Sequence, residues 1–274
     1  MKTAAFTVAT LFLGLAAAFT AGCSSNKYVP ADDEDPDSFE AVKDIHGGPY
    51  SDMVLVYLKT GPKSGQLSKE QSDQVFAGHM ANIHRLADLG QLLIAGPFDR
   101  DHTRDKTWRG IFLLDTPNID LAKLQAESDP GIQAGVFTPE YRQVKASIEL
   151  RHVRELEKAM LAKTEAEKDK PRDPTKPPPN IRGYVMVTAD DAPAANAALK
   201  RAGLADKVVW CTRFSGTGPK GYGKGGVFVL DAEKADDVKA ALDKAGAPGI
   251  GVDGWWATTS LTGLGGSARV MPGG

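Results

Sequence analysis

The sequence contains one pattern of secondary structure twice, and this recurrence restricts the fold more than any other feature. The segment GIFLLDT at 110–116 matches GVFVLDA at 226–232, and DPGI at 129–132 matches APGI at 247–250. Each matching pair occupies the same place in a predicted order of strand, helix, strand, strand, helix and strand. We interpret the two copies as diverged repeats of one domain.

The order βαββαβ is that of the ferredoxin-like folds, so the predicted fold class is α+β. In the first copy, Ser68 and Gln71 have the spacing of a capping box at the start of a helix, and Gly90 follows its predicted end. A four-stranded sheet with both helices on one face leaves its other face bare. We therefore expect two ferredoxin-like βαββαβ repeats, at 52–148 and 181–264, to form an internal dimeric α/β barrel, which is a pseudo-dimer within one chain.

The N-terminal segment predicts export and lipid attachment. Residues 1–22 combine a basic start, a short apolar run and small residues before a cleavage point, which is typical of a secretory signal peptide. The sequence TAGC at 20–23 resembles the bacterial lipobox, in which the chain is cut before the cysteine and fatty acids such as palmitate are attached to it. Cys23 is then the lipidated residue, and Ser24 indicates the outer membrane, facing the periplasm. The alternative is an ordinary signal peptide with an incidental cysteine.

Three further segments lie outside the repeats. Residues 23–51 are acidic and poor in large apolar side chains, which predicts a solvated tether. Residues 149–180 predict a charged helix followed by a proline-rich linker. Residues 265–274 are predicted to form a flexible tail.

The composition argues against several classes of function. The formal charge of −2 gives no general basic field, so no nucleic-acid partner is expected. With only Cys23 and Cys211, and with lipidation of the first, neither an intrachain disulfide nor a cysteine-based zinc site is expected. The glycine-rich stretch at 216–226 precedes a strand rather than a helix, which argues against a phosphate-binding loop. We expect no metal and no cofactor.

An ionisable ring lies within an apolar stripe of the first predicted helix. On a helical wheel His79 falls among the following residues: Val75, Phe76, Met80, Ile83 and Leu86. It should therefore face the sheet, whereas His84 should lie on the surface. A buried imidazole without a partner is costly, so His79 needs a hydrogen bond. On the residues alone, a structural histidine bonded to a carboxylate or to backbone is the more common explanation.

The first repeat resembles the YCII-related domain family of the dimeric α/β barrel superfamily. The resemblance rests on GHMANIHRLADLGQLLIAGPF at 78–98, then GIFLLD, then ESDPGIQAGVF at 127–137, in the order and spacing of that family. It implies an active site formed by a histidine of the first helix and the aspartate of an Asp-Pro step, which here are His79 and Asp129. The second repeat contains no histidine, and Ala247 occupies the position equivalent to Asp129. One site per chain is therefore expected.

Two classes of function remain open. If the pair is catalytic, His79 acts as general base or acid and Asp129 orients it, for a small carbonyl, enol or lactone-type molecule. The alternative is a non-catalytic periplasmic module that binds a small ligand or supports an envelope assembly. Haem binding, as in other α/β barrel proteins, is a weaker hypothesis, because it requires a histidine that faces a large apolar cavity.

Overall fold

The computed structural model describes residues 49–165, 180–217, 221–247 and 249–272. The predicted signal peptide, Cys23, most of the acidic tether and most of the proline-rich linker lie outside these described residues.

The first repeat follows the predicted order of elements, with one addition. Its elements are β1 (Tyr50–Thr60), α1 (Lys69–Asp88), β2 (Leu92–Pro97), β3 (Trp108–Leu114), α2 (Ile119–Glu127), α3 (Pro130–Gln133) and β4 (Phe137–Ser147). The capping box at Ser68 and Gln71 is formed, and Gly90 adopts a positive φ of 69° just after α1. The short helix α3 is the addition, and it bears on the site described below.

The second repeat has the same order without the additional helix. After α4 (Val153–Glu165), its elements are β5 (Ile181–Ala189), α5 (Ala192–Arg201), β6 (Val208–Ser215), β7 (Tyr222–Leu230), α6 (Ala235–Lys244) and β8 (Ile250–Thr258). Asp191 caps α5 by accepting a hydrogen bond from the backbone N–H of Ala194. Within the described ranges, no helix is both long enough and apolar enough to cross a membrane.

All eight strands belong to one antiparallel sheet with the order β2-β3-β1-β4-β6-β7-β5-β8. The repeats meet first where Val144–Ala146 of β4 pairs with Thr212–Phe214 of β6. They meet again where Phe98, just after β2, forms a bridge with Trp255 of β8. At this second junction the indole Nε1–H of Trp255 donates to the carbonyl of Gly96 at 3.0 Å. The sheet therefore closes into a barrel, which confirms the predicted α+β fold of two ferredoxin-like repeats.

The core inside the barrel is built jointly by the two repeats. One buried cluster combines Met53, Leu55, Leu113 and Val144 of the first repeat with these side chains of the second: Tyr184, Met186, Trp210, Val229 and Trp255. Two further clusters lie between each half of the sheet and its own helices. The face that each isolated repeat would leave bare is thus covered by the other repeat.

The C-terminal segment differs from the flexible tail that the sequence predicts. Ala268 and Met271 are buried, and Gly266–Arg269 forms a turn of 3₁₀ helix. The thiol of Cys211 donates to the carbonyl of Ala268 across 3.7 Å, and burial raises the pKa of that thiol to about 12. A short glycine-rich segment can pack in this way because Ala268 and Met271 join the buried clusters of the two repeats, a long-range contact that composition does not reveal.

The shared core leads to a prediction about the first repeat in isolation. Residues 52–150 expressed alone should form dimers or aggregates, because Met53, Leu55, Leu113 and Val144, all fully buried, would otherwise face water. Light scattering over a range of concentrations measures this, with the full chain carrying Cys23→Ala as control. A fragment that stays monomeric at high concentration would contradict a shared core.

Candidate functional site

The site begins at a close contact between two helices. A Cβ atom on Gly78 of α1 would lie 3.0 Å from Cγ of Pro130 in α3, which is tighter than ordinary packing. A glycine at this position therefore allows α1 to approach the start of α3. The approach brings the next residue of α1, His79, to the residue that precedes Pro130.

That residue, Asp129, is held from two sides. It is the N-cap of α3, and its Oδ1 accepts the backbone N–H of Gly131 at 2.8 Å. Its Oδ2 lies 2.8 Å from Nδ1 of His79. A Cβ atom on Gly131 would lie 2.6 Å from the ring of Phe137 and 2.9 Å from Oδ1 of Asp129. The sequence Asp-Pro-Gly therefore gives this carboxylate one fixed position.

The hydrogen bond determines how the histidine ring is used. The carboxylate can only accept, so Nδ1 of His79 carries the hydrogen and Nε2 of the neutral ring is left as an acceptor. No described residue forms a hydrogen bond with Nε2, and the Asp129 side chain is 0% exposed whereas that of His79 is 12% exposed. Nδ1 of His79 thus faces the buried carboxylate of Asp129, and Nε2 stays available for a bound molecule.

A second layer of polar contacts lies behind Asp129. Asn82 is buried one turn after His79, and its Nδ2 lies 3.5 Å from Oδ2 of Asp129. Arg85 donates to Oδ1 of Asn82 at 2.7 Å through Nη2, which also lies 3.0 Å from Oγ of Ser128. Because its oxygen is held by Arg85, the amide of Asn82 presents its NH₂ group to the carboxylate.

A small cavity of about 220 Å³ lies beside His79. Its lining consists of Gly65, Leu67, Ser72, Val75, Phe76, His79, Val136 and Phe137. The His79 ring packs close to the rings of Phe112 and Phe137, with centroids 5.9 Å and 5.3 Å away. The histidine is therefore packed between aromatic side chains on the protein side and borders a largely apolar space.

The apolar stripe predicted for α1 is only partly correct. Leu86 is buried, but Phe76 is 63% exposed and Met80 is 38% exposed. The buried residues of α1 are instead Asn82 and Leu86. The helix is turned so that part of its inner face meets α3 rather than the sheet. The Asp-Pro step at 129–130 is a local signal for the start of α3, although no helix was predicted there. The one indication in the sequence that Asn82 belongs to the site is its position, because it is a polar residue one helical turn after His79.

The other residues considered in the sequence lie apart from this site. His84 is exposed on α1. Ala247 is partly buried and packs against the cluster between the second half of the sheet and its helices. Cys23 lies outside the described residues. Among the residues that the structure describes, no group of three or more His, Cys, Asp or Glu side chains is arranged to hold a metal ion.

Comparisons with known proteins give remote structural likenesses. No protein-family model matches the sequence, and no curated protein matches it. A chlorite dismutase variant from Candidatus Nitrospira defluvii has a TM-score of 0.44 at 14% identity, covering 76% of this chain and 91% of its own. A haem-binding protein from Thermus thermophilus has a TM-score of 0.39 at 12% identity, covering 77% and 93%. At this level the likenesses carry no argument about activity, and the fold described above rests on the strand pairing of this chain.

Proposed function

We propose that this chain is a YCII-related domain protein in which His79 and Asp129 perform acid–base chemistry on a small carbonyl, enol or lactone-type molecule. One observation carries the proposal. Asp129 is fully buried and binds Nδ1 of His79, while the same histidine lines a cavity and keeps Nε2 available. The resemblance of residues 78–98 and 127–137 to that family also supports the proposal.

His79 is the residue that moves the proton in this mechanism. Its Nε2 takes a proton from a carbon or hydroxyl group of the bound molecule, and the ring becomes an imidazolium. Asp129 stabilises that charge through the 2.8 Å contact to Nδ1 and keeps the ring in the required tautomer. The imidazolium then returns the proton to another atom of the same molecule. The net change is a shift of one proton, and no covalent intermediate is required.

The fixed position of Asp129 is what distinguishes this pair from an ordinary surface contact. A carboxylate that accepts from Gly131 and from His79, with Asn82 beside it, cannot rotate freely. Catalytic geometry depends on such preorganisation, because a base must meet its proton within hydrogen-bonding distance. A purely structural tie between α1 and α3 would not require that His79 border a cavity.

The test compares activity with stability in His79→Gln. Glutamine can still donate to Asp129 but is not a base, so turnover on a panel of lactones and enolisable carbonyl compounds should fall by about 100-fold or more. Thermal melting should change little, because the packing around the residue is kept. His84→Gln, the same change at an exposed position of the same helix, is the matched control and should keep full activity.

One result would overturn the enzyme proposal. If the wild type turns over nothing on the panel and both His79→Gln and Asp129→Asn strongly lower the melting temperature, the pair is structural. The chain would then be the non-catalytic binding or assembly module.

Haem, the ligand of one of the structural neighbours, does not fit the cavity beside His79. Sites for cofactors and drug-sized ligands have volumes of roughly 300–1,000 Å³, whereas this cavity measures about 220 Å³. The second repeat has no histidine, and the space beneath its helices is filled by side chains such as Ala195, Leu199, Val238 and Leu242. No step of the proposed chemistry involves haem.

We also propose a location for the protein. The sequence TAGC at 20–23 supports cleavage before Cys23 and acylation of that residue, which would hold the protein at the outer membrane on its periplasmic side. Several fatty acyl chains on one cysteine are ample for stable attachment, since each buried CH₂ contributes about 0.8 kcal/mol.

Cys23→Ala tests this location. The variant should leave the membrane fraction or accumulate as an unprocessed precursor, because it has no thiol to acylate at that position. Fractionation and intact mass of the purified protein measure the outcome. Cys211→Ala serves as control, since Cys211 is buried between the sheet and the helices of the second repeat and its loss should leave membrane attachment unchanged. Normal maturation and membrane fractionation of Cys23→Ala would contradict the lipobox interpretation.

A further inference from the structure

The lining of the cavity beside His79 restricts the charge of any molecule that enters it. Leu67, Val75, Phe76, Val136 and Phe137 supply apolar surface, and the remaining described lining residues, Gly65, Ser72 and His79, include no permanently charged side chain. An ion that loses its water without gaining a partner pays a large desolvation cost. Both anions and cations should therefore be disfavoured in this space.

The anion behind the histidine strengthens this selection. Asp129 is fully buried, and Arg85, behind it, is bound to the oxygen of Asn82. A carboxylate-bearing ligand would thus meet a fixed negative charge beyond the imidazole and no cation in the described lining. Arg85 cannot serve a ligand in the cavity without abandoning its contacts to Asn82 and Ser128.

The volume of the cavity restricts the size of the ligand. An apolar cavity of about 150 Å³ is known to accommodate benzene. The space beside His79 is about 220 Å³, so it admits one six-membered ring with a few further atoms. Phe76, which is 63% exposed, also lines this space and adds aromatic surface to it.

The polar atoms available to the ligand are also few. His79 offers Nε2 as an acceptor in its neutral form, and Ser72 offers a hydroxyl group. A hydroxyl or enol on the ligand would donate to Nε2, and a carbonyl would accept from the protonated ring. The remainder of the molecule would contact only apolar side chains.

We infer that the His79 cavity takes an uncharged monocyclic molecule with a hydroxyl or carbonyl group directed at Nε2. This inference deepens the proposed function, on which the choice of site rests, by naming the class of substrate. According to this inference, neutral ring compounds bind in the cavity, and carboxylates and amines of the same size do not.

Three probes of one shape and different charge test the inference: benzyl alcohol, benzoate and benzylammonium. Each is titrated into the full chain, and binding is followed through the NMR signals of the His79 ring. Benzyl alcohol should bind at least about tenfold more tightly than either ion, because only the ions lose hydration without a partner. Val136→Phe, which fills the cavity, should abolish the shift, whereas Val270→Phe, the same change at an exposed position, should not.

The outcomes distinguish this inference from the proposed function. Equal or tighter binding of benzoate or benzylammonium overturns the inference, and so does the absence of binding by all three probes up to their solubility limits. Neither result decides the acid–base role of His79, which is tested separately by the turnover of the His79→Gln variant. Selective binding of benzyl alcohol supports the inference even if no substrate on the panel is turned over. If Val136→Phe fails to fold by thermal melting, the comparison of the three probes on the wild type decides alone.

Discussion

Trp255→Ala should lower the free energy of unfolding by about 3 to 5 kcal/mol, which is the usual cost of removing a large aromatic side chain from a core. The indole is fully buried, packs near the rings of Tyr184 and Trp210, and donates from Nε1 to the carbonyl of Gly96. Its loss leaves a cavity inside the barrel and removes a hydrogen bond across the junction of β2 and β8. Urea denaturation measures the change.

The neighbouring residue supplies the control for this prediction. Trp256 points to the other face of β8 and is only partly buried, so Trp256→Ala removes a side chain of the same size from a less demanding position. Its cost should be clearly smaller. Equal costs for the two variants would show that the interior of the barrel is not the main source of stability at this junction.

Arg104→Ala should destabilise the protein by about 2 to 3 kcal/mol through the charge that it leaves behind. Asp253 of β8 is 0% exposed, and Arg104, in the loop between β2 and β3, donates to both of its oxygens, with Nη2 and Oδ2 2.8 Å apart. Without the guanidinium, a buried carboxylate keeps only the backbone N–H of residue 104 as a partner from that loop. This value is below the roughly 3–5 kcal/mol usual for breaking a buried pair, because the Arg104 side chain is 46% exposed.

The reverse change should be milder, and this asymmetry is the sharper test. In Asp253→Asn the guanidinium of Arg104 can turn into water, so no charge is stranded. The double variant Arg104→Ala with Asp253→Asn should recover part of the loss seen in Arg104→Ala. Chemical denaturation of the three variants gives the coupling between the residues. A double variant no more stable than Arg104→Ala would mean that the stranded carboxylate is not the cause.

Features governed by local chemistry could be predicted from the sequence. The capping box at Ser68 and Gln71 and the glycine that follows α1, Gly90, depend on residues within a few positions of one another. The adjacent tryptophans of β8 predict one inward ring, since neighbours on a strand face opposite sides. The two-repeat architecture followed from the recurrence of these local patterns along the chain.

Contacts between distant residues were predictable only where a resemblance supplied them. His79 and Asp129 are 50 positions apart, and nothing in their spacing indicates that they touch. The resemblance to the YCII-related family named this pair, but it did not name Asn82 or Arg85 behind it. The ion pair of Arg104 and Asp253 spans 149 positions and had no sequence signal at all. Such pairs are determined by how the two repeats close on each other, which no local pattern encodes.

The two junctions between the repeats have a consequence for the protein in dilute surroundings. In a barrel made of two separate chains, closure is a bimolecular event whose extent falls as the protein is diluted. Here both halves belong to one chain, so the second half is supplied at a fixed effective concentration. The barrel therefore stays closed however few copies are present. The same linkage releases the second half from the need to be identical to the first, and this half carries no histidine while it still covers the sheet of its neighbour.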